Sequence, residues 1–314
     1  MKTNFTYWSS QSFKFYHSGI SFIKEAANHK VNVASNLVFN IFFIIVFAAV
    51  LLMAVISKFN AHPDELIHAK AVEYYKTNFL PPKIDDPKIS ETFSVYGNSR
   101  LVGFESYYFF AGKFSVLADS FISNPILAMR LFNVLLFLIL VVMFSTSNRT
   151  VKPLFLILLI SPQIWYLFSY INSDAFALFI ALTISYQLVN ENSWFNKYLS
   201  SDKRNNYLKG ALLFSVLVSL QVLSKQNYWL LLVYVAFIFS WQLKVLKERR
   251  KALFKKYLII IGMVLIMLIP RLIYEVNLYG TERNSIIAQH KEDIAHKFFK
   301  RSNIHEDFSY FGVF

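Results

Sequence analysis

The chain has no cysteine among its 314 residues, and it carries little charge, since Asp, Glu, Lys and Arg together make up 16%. Without cysteine, disulfide frameworks, thiolate metal sites and thiol catalysis are all excluded. A soluble domain usually carries about 25% charged residues, so this composition argues against a freely soluble protein. Glycine-rich phosphate loops, metalloprotease helices and internal repeats are also missing from the sequence.

Hydrophobic residues make up 55% of the chain and are clustered in long blocks. A helix needs about 17–25 apolar residues to cross a bilayer. The blocks therefore predict an all-α fold, a polytopic transmembrane helical bundle with about seven spans. An eighth apolar segment, 106–121, contains Lys113 and Asp119, and we interpret it as an interfacial element. The seven blocks are 36–57, 126–144, 153–169, 175–189, 208–223, 228–243 and 257–274.

The distribution of charge predicts the orientation of these spans. If the N-terminus is inside the cell, the inner segments hold 17 of the 32 Lys and Arg residues but four of the 19 acidic residues. Basic loops are retained on the cytoplasmic side, and they contact anionic lipid, so we interpret them as bilayer contacts and expect no nucleic-acid partner. The domains predicted in this way are a cytoplasmic segment 1–35, a transmembrane module 36–276 with an outer loop 58–125, and an extracytoplasmic segment 277–314.

The outer loop begins with the sequence Asn60-Ala-His-Pro-Asp-Glu-Leu-Ile-His68. Proline suits the first position of a helix, and apolar residues then recur at helical spacing, so 63–79 is predicted to be an amphipathic helix lying on the membrane. Asp64 and Glu65 fall in its first turn. They either complement the helix dipole, or a carboxylate held where water meets lipid acts as a general base.

Further charged residues are predicted to lie on the same outer side. Each alone could be capping a helix or extending its charged end to the interface. Together with Asp64 and Glu65 they put acids and bases on one face, where acids can activate a hydroxyl or hold a divalent cation and bases can bind a phosphate. His68, three residues after Glu65, could ligate such a metal with Glu65 and Asp174, or could be an ordinary interfacial residue. The additional residues are Glu105, Arg130, Asp174, Lys225 and Arg271.

The order of these features resembles the GT-C superfamily of polytopic glycosyltransferases, among them the aminoarabinose and protein O-mannosyl transferases, and a related bacterial membrane family. His62-Pro-Asp-Glu65 resembles the acidic motif of the first outer loop, and Phe79-Leu-Pro-Pro82 resembles the end of the segment after it. Phe104-Glu105 resembles a Phe-Glu-Lys-Pro element, although Ser-Tyr follows here. Asp174 falls where the superfamily has a second outer acid, and Lys225 where it often has Thr-Lys-Gly.

This resemblance implies transfer of a sugar from a polyprenyl-phosphate donor to an acceptor outside the bacterial cytoplasmic membrane. Asp64 would be the base, Glu65 and Asp174 would position the nucleophile or hold Mg²⁺ or Mn²⁺, and Arg130, Lys225 and Arg271 would bind the phosphate. Two alternatives remain open, a transporter or flippase for a lipid-linked substrate and an inactive membrane scaffold. Because superfamily members usually run well past 314 residues, we also expect the C-terminal part to be incomplete.

Overall fold

In the computed structural model, most of the described residues are in helices. The described residues contain no strand, apart from one isolated bridge between Phe93 and Ser99. The predicted all-helical class is therefore confirmed, while most of the predicted segments 1–35 and 277–314 lies outside the described residues. The structure describes 32–83, 86–93, 99–103, 105–147, 151–201 and 208–282, with single positions as far as 292.

Twelve α-helices occupy these ranges, and short polar caps define several of their starts. Asn124 accepts hydrogen bonds from the first turn of one long helix, and Asn172 does the same for a second, which satisfies backbone N–H groups that a helix leaves unpaired. The helices are α1 Asn32–Ile56, α2 Glu65–Thr77, α3 Pro87–Ser90, α4 Ser106–Ala118, α5 Pro125–Ser145, α6 Lys152–Leu159, α7 Pro162–Ser169, α8 Ser173–Val189, α9 Trp194–Ser200, α10 Leu208–Val222, α11 Leu230–Val245 and α12 Arg250–Tyr279.

Four helices, α1, α5, α11 and α12, are long and apolar enough to cross a membrane, and a fifth span results if the bent pair α7 and α8 counts as one. The predicted number of about seven is therefore larger than helix length supports. All seven apolar blocks are helical, but the block 153–169 is divided between α6 and α7. The helix α10 has 15 residues, which gives about 22 Å at 1.5 Å per residue, less than the bilayer core of about 30 Å.

The predicted outer loops and the predicted inner loops lie at different ends of the helical bundle, as the contacts between helix ends show. At one end, which we call the site end, the Ser106 backbone N–H at the start of α4 donates to the Leu223 carbonyl after α10, at 3.0 Å. At the opposite end, Lys256 Nζ donates to the carbonyls of Tyr198, Leu199 and Ser201. The segments predicted to be outer meet at the first end, and two predicted inner segments meet at the second.

The helices α2 and α4 form a packed pair at the site end. Gly112 in α4 allows this close crossing, because a Cβ atom there would lie 2.8 Å from the backbone of Tyr75 in α2. The other faces of α4 contact α5 and α8. The segment 106–121 was predicted to be interfacial, and its helix is in addition half-buried in the bundle, so it can hold side chains of the site in fixed positions.

The helix α5 is the most buried of the four long helices, whereas few residues of α11 and α12 are buried. Apolar side chains such as Leu230, Phe237 and Ile266 remain uncovered by the rest of the protein. In a bilayer such faces contact lipid tails, so the exposure of their apolar side chains carries no free-energy penalty. The central α5 therefore supports the site, and α11 and α12 form a lipid-facing flank.

Candidate functional site

The most buried ion pair among the described residues joins Glu65 at the start of α2 to Arg130 in α5. The Arg130 Nε donates to Glu65 Oε1 at 2.7 Å and Nη2 donates to Oε2 at 2.9 Å. Both side chains are almost inaccessible, with exposed fractions of 0% for Glu65 and 3% for Arg130. Two parallel charge-assisted hydrogen bonds of this kind are among the strongest polar contacts in proteins, so the pair fixes the start of α2 against the bundle.

Arg130 also binds the C-terminal end of α1. Its Nη1 donates to the carbonyls of Ala54 and Ser57, and its Nη2 donates to the carbonyl of Lys58. A guanidinium has five N–H donors, and these contacts together with Glu65 use all five. In this structure Arg130 holds the loop between α1 and α2, which differs from the predicted role of binding a phosphate.

The loop between α1 and α2 has an unusual backbone. Asn60 and Asp64 have φ angles of 59° and 56°, and they are the non-glycine residues with positive φ within the described ranges. The loop is held by reciprocal contacts, since the Asn60 N–H donates to Glu65 Oε2 at 3.0 Å and Asn60 Oδ1 accepts from the Leu66 N–H. A left-handed residue other than glycine costs about 1–2 kcal/mol, and such strain clusters at functional sites.

Two further ion pairs lie at the site end and are more accessible. Arg100 Nη2 donates to Asp64 Oδ2 at 2.9 Å, with exposed side-chain fractions of 17% and 28%. Lys225 Nζ donates to Asp174 Oδ2 at 2.6 Å, with exposed fractions of 19% and 31%. Both pairs can separate without leaving a charge in a dry interior, so their carboxylates and cations are available to a ligand.

A sharp bend places Asp174 at the site end. The helices α7 and α8 meet at 120°, and Asn172 at the bend caps α8 by accepting from the Ala175 N–H. Asn133 in α5 donates to the carbonyls of Tyr170 and Asn172. These contacts satisfy backbone carbonyls that the bend leaves without helical partners. The bend is therefore stabilised by specific hydrogen bonds from α5.

Glu105 connects the two accessible ion pairs. It precedes α4, and its Oε2 is buried without a hydrogen-bond partner among the described residues. Burial raises the pKa of Glu105, while the Ser173 hydroxyl, Lys225 and Arg100 act in the opposite direction. The next residue, Ser106, donates its backbone N–H to the Leu223 carbonyl, two residues before Lys225, so Glu105 lies beside the segment that carries Lys225.

His68 lies on the buried face of α2 and contacts Tyr108 of α4. Its Nδ1 is 2.7 Å from the Tyr108 hydroxyl, and the two rings are stacked. Burial lowers the pKa of His68 well below its usual range, and the charges of Arg100 and Lys225 lower it further. The imidazole is therefore neutral at pH 7.

The predicted metal ligands do not gather into one set. Within the ranges described by the structure, no three His, Asp or Glu side chains lie together as ligands for an ion. Glu65 gives its two oxygens to Arg130 and to a backbone N–H, and His68 is bonded to Tyr108. Mg²⁺ or Mn²⁺ binding stays a prediction, and Glu65 and His68 do not fit it in this arrangement.

The structure thus brings together most of the predicted site residues, and it pairs the remaining one, Arg271, with a residue of its own helix. Arg271 lies in α12 and forms an ion pair with Glu275 one turn further along the same helix. The neighbouring Tyr274 hydroxyl donates to the Pro81 carbonyl, which connects α12 to the segment after α2. The residues that meet at the site end are Asp64, Glu65, His68, Glu105, Arg130, Asp174 and Lys225.

Sequence reasoning missed Arg100, Tyr108 and Ser173. Arg100 follows a polar stretch with no apolar periodicity, and its one sequence signal is that it is the single basic residue between Lys88 and Lys113. The sequence does not distinguish Tyr108 from the other aromatic residues of its apolar helix. Ser173 stands beside the predicted Asp174, and a short outer turn of polar residues between two apolar blocks is the signal that could have included it.

A model for a family described as a predicted membrane protein (DUF2142) matches residues 98–314. The match includes Arg100, Glu105, Arg130, Asp174 and Lys225, and it begins after the loop that carries Asp64 and Glu65. No curated protein and no solved structure matches the chain.

Proposed function

This chain belongs to the DUF2142 family of predicted membrane proteins, and we propose that it is a membrane glycosyltransferase that uses a polyprenyl-phosphate-linked sugar. The acceptor is a glycan, lipid or protein of the cell envelope, and the site end faces outward from the bacterial cytoplasmic membrane. The observation that supports this proposal best is the meeting of two accessible carboxylate–cation pairs, Asp64 with Arg100 and Asp174 with Lys225, around Glu105.

The reaction needs one base and a binding place for a phosphate. The Asp64 carboxylate takes the proton from the acceptor hydroxyl, and the hydroxyl oxygen forms a bond to the anomeric carbon of the donor sugar. The bond between that carbon and the phosphate oxygen breaks with inversion, and its electron pair leaves with the polyprenyl phosphate. Arg100 and Lys225 then face the negative charge that grows on the phosphate, an interaction whose removal typically costs about 10²–10³ in rate.

Binding of the donor phosphate also releases Asp64 from its ion pair with Arg100. In the unliganded protein Arg100 holds Asp64 and Lys225 holds Asp174. A phosphate that binds Arg100 and Lys225 competes with these carboxylates, because guanidinium and ammonium groups bind phosphate and carboxylate alike. Asp64 then loses its hydrogen bond from Arg100, so its oxygen is free to accept the proton of the acceptor, and this happens only when the donor is in place.

The buried pair of Glu65 and Arg130 has a positioning role in this scheme. Glu65 is adjacent to Asp64, and Arg130 fixes both Glu65 and the last carbonyls of α1. The left-handed backbone at Asp64 persists because its neighbours are held on both sides. Asp174 in turn positions Lys225. No step is assigned to a metal, because Glu65 already accepts three hydrogen bonds.

A transporter or flippase is the second candidate, and the bent pair of α7 and α8 favours it. Transporters often bind substrates at broken helices, where backbone groups and charges face a cavity. Here the bend is 120°, and the nearby charged pair is at a helix end. The two candidates differ in their need for Asp64, since a carrier of lipid-linked sugars makes no glycosidic bond and requires no base.

Native mass spectrometry of the protein purified in mild detergent tests the donor class. We expect a co-purifying polyprenyl phosphate, with or without its sugar, which is lost when Arg100→Ala and Lys225→Ala are combined. Lys70→Ala is the matched control, because Lys70 is a cation on α2 that pairs with Glu91 at the surface. A well-folded wild-type sample without any lipid phosphate would contradict the proposal.

The base is tested by Asp64→Asn in membranes supplied with the lipid that co-purifies. We expect transfer to fall by at least about 10²-fold, within the range for removal of a general base, while the lipid still co-purifies. Asparagine also tolerates the left-handed backbone, so folding is preserved. Full transfer activity in this variant would remove Asp64 from the mechanism, and lipid movement without any transfer would favour the carrier.

A further inference from the structure

His62 lies in the loop between α1 and α2, two residues before Asp64, and its ring packs against two tyrosines that precede the bend between α7 and α8. The imidazole is stacked on the Tyr170 ring, with the ring centroids 4.6 Å apart and the planes at 18°. It meets the Tyr166 ring edge-on, at 4.9 Å and 65°, and the two tyrosine rings are 5.0 Å apart. Aromatic pairs at such separations are directional contacts, so three rings join this loop to the bend.

The ring faces of His62, and not its nitrogens, make these contacts. The residue is 7% exposed, and neither Nδ1 nor Nε2 has a hydrogen-bond partner within the part of the chain that the structure describes. Burial lowers the pKa of His62, Glu65 acts in the opposite direction and Arg130 adds to the lowering, so the imidazole is neutral at pH 7. Buried polar groups are almost always paired in native proteins, and His62 therefore keeps its place as an aromatic ring although its nitrogens are unpaired.

Separate hydrogen bonds fix both sides of this aromatic contact. On the loop side, the His62 carbonyl accepts from the Glu65 N–H, and Glu65 belongs to the buried ion pair. On the bend side, Asn133 donates to the Tyr170 carbonyl at 2.6 Å. Asp64, with its left-handed backbone, lies between His62 and Glu65 in the chain. It is therefore anchored on both sides, by the aromatic contact before it and by the ion pair after it.

We propose that His62 is a positioning residue for Asp64, an inference that rests on the proposed function in making Asp64 the base. The stacked ring holds the Asp64 loop against the bend, and the first turn of α8 after the bend carries Asp174. The ring thereby sets the position of the first carboxylate–cation pair relative to the second, and the donor must reach both pairs at once. His62 itself transfers no proton in this role, because its contacts require only an aromatic ring.

Transfer by His62→Phe and His62→Ala tests this role, measured in membranes supplied with the lipid that co-purifies with the wild type. We expect His62→Phe to keep the kcat of the wild type, because phenylalanine retains the stacked ring and leaves no nitrogen unpaired. His62→Ala should lower kcat by about 10²-fold, the loss that a misplacement of about 1 Å can cause. The KM for the donor should change little, because Arg100 and Lys225 are still present to bind its phosphate.

Tyr186→Ala is the matched control, because it removes an edge-on ring contact of 5.4 Å with Phe144 near the opposite end of the bundle, and it should leave kcat unchanged. A second readout needs no transfer activity. Since the chain has no cysteine, spin labels at Ala61→Cys in the loop and Gln163→Cys in α7, both exposed positions, report how firmly the loop is held. Electron paramagnetic resonance should give the same narrow distance distribution in the His62→Phe background as with the native histidine, and a broader one in the His62→Ala background.

A loss of transfer in His62→Phe as large as in His62→Ala would overturn the positioning role, because the ring nitrogens would then be what the reaction needs. An unchanged distance distribution in His62→Ala would overturn it as well, and would leave the transferase proposal standing. If the wild type transfers no sugar but the distribution broadens in His62→Ala and not in His62→Phe, the aromatic ring does hold the Asp64 loop and the transferase proposal is overturned. If His62→Ala does not fold, full transfer by His62→Phe supports the role and its loss overturns it.

Discussion

The buried pair of Glu65 and Arg130 allows a specific prediction about stability, because removing either residue leaves the other in a different set of contacts. Arg130→Met removes the cation that pairs with a carboxylate that is 0% exposed, and it also removes the donors to the carbonyls of Ala54, Ser57 and Lys58. Glu65→Gln leaves the guanidinium with those three carbonyls, and its side-chain oxygen still accepts one hydrogen bond.

The expected magnitudes follow from these contacts. Removing one partner of a buried ion pair destabilises proteins by about 3–5 kcal/mol, because the other charge is left uncompensated, so Arg130→Met should cost at least that much. Glu65→Gln also leaves a buried charge, the Arg130 guanidinium, but the carbonyls of Ala54, Ser57 and Lys58 still accept from it, so we expect a cost at the lower end of this range, about 3 kcal/mol. The double variant has no buried charge at this place, and we expect it to be no less stable than Arg130→Met alone.

Thermal unfolding in mild detergent, followed by tryptophan fluorescence, measures this order directly because the chain has 5 Trp residues. The wild type should melt highest, followed by Glu65→Gln, with the double variant equal to or above Arg130→Met. If the melting-temperature losses of the two single variants simply added in the double variant, the two residues would be energetically independent. That result would refute the buried pair as the support of the Asp64 loop.

Two further predictions concern topology and pH. In a chain without cysteine, a single Lys70→Cys should react from outside whole cells with an impermeant maleimide and Lys247→Cys should not, and outside labelling at Lys247 would reverse the proposed orientation. The pKa of His68 is lowered in the folded state, so its unfolded form binds a proton below about pH 6.5 that the folded form does not. The contribution of a neutral His68 to the free energy of unfolding is therefore fully present above that pH and is lost as the pH drops. His68→Gln should reduce the pH dependence of the melting temperature between pH 5 and 6.5.

The helical class and several of the charged residues that meet at the site end could be picked out from the sequence, because both depend on local signals. Apolar blocks are contiguous, and Asp64, Asp174 and Lys225 are conspicuous as charges at the ends of such blocks. The partners of these charges could not be predicted in the same way. Arg100 reaches Asp64 across 36 positions of sequence, and Arg130 reaches Glu65 across 65, distances over which only the packed fold decides which charges meet.

Helix length supports four or five spans among the described residues, fewer than the seven apolar blocks of the sequence, for a related reason. Hydropathy averages over a block and does not register a break such as the one before Pro162, where α6 ends and α7 begins. The contacts of Arg130 could not be predicted, because the sequence shows a charge near an apolar span but not its five occupied donors. The solvent accessibility that distinguishes the buried pair of Glu65 and Arg130 from the two accessible pairs depends on tertiary packing, which the sequence does not show.

The left-handed backbone at Asp64 has a consequence for how this protein changes over generations. The residues that adopt such a conformation most easily are glycine and asparagine, and each is one base change from either codon for aspartate. Mutation therefore readily produces chains that keep the loop, the buried pair and the folded bundle but lack the carboxylate. Descendants of an active ancestor can lose the proposed chemistry in a single step and persist as intact membrane proteins, so the residue at this position is an informative one to compare across genomes.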